Sequence, residues 1–148
     1  MKTLMRRSVI ATAMVLGVSA VALADDAENH CTVATLRGTY VFAAKGYNIV
    51  AGVAQPKTIV EVIQFKGDGT LSVPAATRSV NGVIARSSPT GVGTYTVEED
   101  CTGTVFFNGP SFDIFVAPTG KKLWLIETDP GTVFEGTATR TSKEPDLP

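Results

Sequence analysis

Histidine occurs once in the 148 residues, at His30, and cysteine only twice, at Cys31 and Cys101. These shortages remove whole classes of chemistry. A nucleophilic triad needs a base beside its nucleophile, and the lone histidine stands next to a cysteine far toward the start of the chain. A metal site needs several ligands at set spacings. No Cys-x-x-Cys is present, so no metal is expected. Basic clusters are scarce too: past the first residues no Lys/Arg run exceeds Lys121-Lys122, and the formal net charge is −1. Phosphate backbones demand a basic patch, which excludes a nucleic-acid partner. Gly91-Val92-Gly93 is followed by no helix-forming pattern, so it is not a phosphate loop, and no cofactor signature appears. Helical periodicity is missing after Leu36, and so is any later apolar run long enough to span a membrane.

What is present begins with a leader. Lys2, Arg6 and Arg7 precede an apolar run from Val9 to Val21, and Ala22-Leu23-Ala24 gives the small-x-small pattern of a cleavage site. Residues 1–24 are therefore read as a secretory signal peptide, and the protein is expected to be exported, periplasmic or secreted. Cleavage removes three bases and no acid, so the mature chain from Asp25 to Pro148 is acidic. Both cysteines survive it. An even pair in an exported chain predicts a Cys31–Cys101 disulfide, the alternative being two buried thiols.

The mature chain is one domain. Residues 25–35 form a polar N-terminal segment with at most one helical turn, Thr32 to Leu36. Residues 36–140 carry the folded domain, and 141–148 are a tail. Strand-like runs are expected at Leu36–Lys45, Lys57–Lys66, Thr70–Val80 and Val83–Ser88, and then at 92–98, 103–108, 111–117, 122–128 and 132–140. Turn signals separate them: Gly67-Asp68-Gly69, Asn81-Gly82, Ser88-Pro89-Thr90-Gly91, Asp100-Cys101-Thr102-Gly103, Asn108-Gly109-Pro110, Pro118-Thr119-Gly120 and Asp129-Pro130-Gly131. Gly46–Pro56 is read as a longer loop folded over one end. Pro74 demotes the first half of its strand to an edge or a bulge. Some eight or nine sequential strands joined by short turns predict an all-β, antiparallel up-and-down barrel, closed by pairing the last strand with the first. A two-sheet sandwich is the alternative.

The strand-and-turn signatures Leu36-Arg37-Gly38-Thr39-Tyr40, Gly67-Asp68-Gly69-Thr70-Leu71, Gly93-Thr94-Tyr95-Thr96-Val97, Cys101-Thr102-Gly103-Thr104 and Leu125-Ile126-Glu127-Thr128-Asp129 span most of the mature chain. In order and style they resemble small exported bacterial β-barrels of the calycin-like and allene-oxide-cyclase-like kind. That resemblance implies a barrel and an apolar ligand, and carries over no catalytic residue.

Two acids stand out. By alternation Glu61 shares a face with Ile59, Ile63 and Phe65, and Glu127 shares one with Leu123 and Leu125. On an interior wall Glu61 would have its pKa raised by desolvation and could bind a hydroxyl or act as a general acid or base. The alternatives are an outward face, or an ion pair with Arg37, Arg78 or Arg86. Tyr40, Phe42, Tyr95, Phe107 and Trp124 are candidate pocket walls, ordinary core packing being the competing account. Together these features predict binding of a small, largely apolar molecule rather than catalysis. The rival readings are a cyclase or isomerase using Glu61 or Glu127, and a structural or protein-interaction module with a solid core.

Overall fold

The computed structural model describes residues 30–87 and 91–144. The expected signal peptide, the start of the N-terminal segment, Ser88-Pro89-Thr90 of one expected turn, and the end of the tail lie outside the described residues.

The strands are β1 (Arg37–Val50), β2 (Val53–Lys66), β3 (Thr70–Val80), β4 (Val83–Ser87), β5 (Gly91–Val97), β6 (Thr102–Phe106), β7 (Ser111–Val116), β8 (Lys122–Glu127) and β9 (Thr132–Ser142). Every pairing is antiparallel, and all but two join neighbours in sequence. One is β1 with β9, running from Thr39↔Ser142 to Asn48↔Thr132, which closes the sheet. The other is β3 with β5, over Thr70↔Thr94 to Val73↔Gly91. The result is a closed eight-stranded antiparallel barrel with β4 as an extra strand.

Three expectations about the strands change. Gly46–Pro56 is not a loop: β1 runs on to Val50, and Ala51-Gly52, at φ 50° and 77°, makes a two-residue turn directly into β2. Gly46 marks a close approach, since a Cβ there would stand 1.8 Å from the Val133 carbonyl oxygen on β9. Pro56 sits where its missing N–H costs nothing. Its carbonyl accepts from Asn81 N at 2.8 Å, so its nitrogen faces the same side, away from the β1 ladder.

The second change concerns β4 and β5. They are not a hairpin, because both run antiparallel to β3 and lie beside it in succession, β4 against Ala76–Val80 and β5 against Thr70–Val73. The third is minor: β9 extends through Ser142, two residues past the expected end. Pro74 does mark a bulge. The β2–β3 register moves from Val62↔Ala75 to Gln64↔Ser72 across it.

The barrel has two unlike ends. Strands begin and end so that the turns at 67–69, 98–101 and 117–121 gather at one of them, with the residues leading into β1. Here the interior is solid. Tyr40, Ile63, Phe65, Leu71, Ile114 and Leu123 are buried, and Phe65 meets the rings of Tyr40 and Tyr95 edge-on at 5.1 and 5.0 Å. A 3-10 turn, Val33–Thr35, lies across this end, with Cys31 and Leu36 buried on either side. Tyr95 ties it down: its hydroxyl accepts from Gly67 N and reaches the carbonyls of Leu36 and Val33 at 2.8 and 2.9 Å. The Tyr40 hydroxyl donates to the Gly120 carbonyl. Cys31 and Cys101 form a disulfide, with Cα atoms 5.0 Å apart. Cys101 sits in its turn at φ 66°, while Asp100 accepts from the backbone and hydroxyl of Thr102 at 3.0 and 2.7 Å.

Candidate functional site

Toward the other end the inward residues no longer fill the barrel. A cavity of about 540 Å³ is lined by Phe42 of β1, Ile59 and Glu61 of β2, Val73, Ala76 and Arg78 of β3, and the rings of Phe107, Phe112 and Phe134. Its size falls within the range of small-molecule sites. Ala85, Arg86 and Ser87 of β4, with Lys57, Gly91 and Pro110, complete the lining. Among the described residues β4 pairs only with β3, and three of its residues line the cavity.

The aromatic walls follow from strand alternation. Phe112 takes an inward position of β7 and meets Phe107, Phe42 and Phe134 at centroid distances of 5.5, 6.1 and 6.4 Å. Two acids point into this apolar half. Glu127 is 9% exposed and accepts an ion-paired hydrogen bond from Lys57 Nζ at 2.6 Å. The same ammonium lies 4.2 Å from the centroid of Phe134.

Glu61 is 8% exposed, and among the described residues it has neither an ion pair nor a hydrogen bond. The outward-face and ion-pair accounts of Glu61 both fall away: Arg37 instead stands 3.7 Å from Glu144. Burial without a compensating charge pushes the Glu61 carboxyl up to about 7.

That elevation has a stability consequence with a definite sign. Between the ordinary value of 4.5 and about 7, the folded protein holds a proton that the unfolded chain has released. Stability therefore falls as pH rises through this window, by up to about 3 kcal/mol. Glu61→Gln, which cannot ionise, is expected to match the parent near pH 4 and to exceed it by roughly 2–3 kcal/mol at pH 8. Denaturant melts across that range read the difference. Parallel pH profiles for parent and variant would show that Glu61 ionises as freely in the fold as out of it.

The candidate residues thus separate by depth and by face. Phe42, Glu61 and Phe107 line the cavity together. Tyr40 and Tyr95, on the same inward face, lie one layer lower and belong to the sealed core. Trp124 is on the outer wall, 46% exposed and opposite Phe115, with Lys122 Nζ 5.0 Å from its ring centroid. Glu127 is inside but is engaged by Lys57. His30 lies at the closed end, 3.9 Å from Glu99.

Sequence reasoning missed Lys57, Arg78, Phe112 and Phe134. Lys57, Ile59 and Glu61 share parity, so Lys57 was within reach of the alternation argument. Arg78 was not, because the bulge at Pro74 shifts the inward set from Leu71 and Val73 to Ala76 and Arg78. Among the described residues, no group of three His, Cys, Asp or Glu side chains is placed to hold a metal ion. No helix there is long and apolar enough to cross a membrane. No protein-family model, curated protein or solved structure matches the chain.

Proposed function

We propose that this is an exported barrel that binds a small, largely apolar molecule in its open half. The observation that carries the reading is the contrast between the two halves: one is packed solid, while the other keeps about 540 Å³ clear between four phenylalanines and a few isolated polar groups. A barrel serving only as a scaffold gains by filling such a space, since voids forfeit packing energy. Export is supported by the leader-like residues 1–24 and by the disulfide, which persists in oxidising compartments.

Native mass spectrometry of protein purified from its own host tests the reading. The expected result is an added mass of a few hundred daltons or less that is lost on denaturation. A protein that arrives empty and takes up no apolar probe in solution would end the proposal.

One observation favours a second reading. A carboxyl in an apolar cavity, poised at about 7, is suited to give or take a proton near neutral pH. A cyclase or isomerase would use Glu61 in this way. Turnover abolished in Glu61→Gln, with the fold intact, would move the assignment from binding to catalysis.

A further inference from the structure

The charges around the cavity say more about what it takes. Its lining carries Lys57, Arg78 and Arg86 against a single acid, Glu61. Lys57 is already neutralised by Glu127 at 2.6 Å. The two arginines are not: among the described residues no carboxylate lies within ion-pair distance of either.

Arg78 is the better placed. It stands opposite Ile59 on β2 and Ala85 on β4, and it borders both the main cavity and an adjoining recess of about 390 Å³ that Asn48 and Val80 also line. Arg86, opposite Thr77, adds a second positive charge at the rim. Glu61 faces Ala76, two residues from Arg78 along β3, and yet the two do not pair. An unpaired guanidinium at the mouth of an apolar chamber offers several N–H donors in a planar fork, the geometry that suits an oxyanion.

We infer that the ligand is an amphipathic monocarboxylate, with its apolar body among Phe42, Phe107, Phe112 and Phe134 and its carboxylate on Arg78. This rests on the reading of the cavity as a small-molecule site. An amine of the same shape is disfavoured, because it would set its charge beside Arg78 and Arg86 with only Glu61 to answer it. A neutral molecule would fill the chamber but leave Arg78 unused.

Calorimetric titration of the disulfide-intact mature protein with decanoate, decan-1-ol and decylamine at pH 6 tests this. Decanoate is expected to bind roughly 10-fold or more tighter than decan-1-ol, the value of one charge-assisted contact. Decylamine is expected to bind weakest. Arg78→Met should abolish the preference for decanoate over decan-1-ol, while Arg78→Lys should restore part of it. Arg78 is exposed at a rim, so these variants leave the core alone. If decan-1-ol or decylamine binds as tightly as decanoate, or if the preference survives in Arg78→Met, the carboxylate inference fails and the apolar site stands. If none of the three binds, both fail.

Discussion

Ending the chain after Asp129 is expected to leave no cooperatively folded domain. The cut removes β9, which pairs with β1 on one side and β8 on the other. It takes with it the buried Phe134 and Ala138 and uncovers the inner faces of both neighbours, where Tyr40, Phe42, Leu123 and Leu125 lie. Two long strand edges would open at once, each a template for pairing with another chain. Burial of side chains such as these is worth about 1.5–3 kcal/mol apiece, and a domain holds only about 5–15 kcal/mol in all. The loss is therefore comparable to the whole stability of the domain. Near-UV circular dichroism and size-exclusion chromatography should show an unstructured or aggregated product. A truncated chain that stays monomeric and melts near the full-length temperature would contradict the role assigned to closure.

The disulfide is expected to have the next largest effect. It closes a loop with a sequence separation of 70, for which the chain-entropy account gives roughly 4 kcal/mol. It also does local work. Cys31 N donates to the Glu99 carbonyl at 3.1 Å and Val116 N to the Cys101 carbonyl at 2.8 Å, so the bridge joins the entering segment to a turn that is itself tied to β7. Replacing both cysteines by serine should lower stability by roughly 4 kcal/mol in denaturant melts. It should also raise hydrogen exchange around Val33–Leu36, the segment whose carbonyls Tyr95 holds. A double variant within about 1 kcal/mol of the parent would show that the hydrogen bonds hold this end closed without the bridge.

The strands were legible because their signals are local. Asn81-Gly82 reads as a turn and is one, with φ 49° and 83°. Pro74 reads as a bulge and is one. Misreadings came where a breaker residue served a distant contact. Gly46 looks like punctuation but is required by the β9 backbone across the ladder, and Pro56 looks like a loop residue but lies within β2 opposite Tyr47.

The site was half legible. Alternation groups the residues that share a face, and it put Glu61 with Ile59, Ile63 and Phe65, the set that lies inward here. It gives no depth along the barrel axis, which separates Phe42 from Tyr40, and it does not say which face is the interior one, which misplaced Trp124. The Lys57–Glu127 pair joins β2 and β8 across the barrel interior, and no spacing in the sequence announces it.

The placement of the two outermost described segments has a practical corollary. Cys31 and Ser142 both lie at the sealed end, since β1 starts there and β9 finishes there. An affinity tag, fluorophore or solid support joined just before the one or just after the other is therefore separated from the cavity mouth by the length of the barrel. Immobilised through either point, the molecule presents its mouth to the flowing solution, and a sensor surface built this way would read ligand capture without the tether competing for the opening.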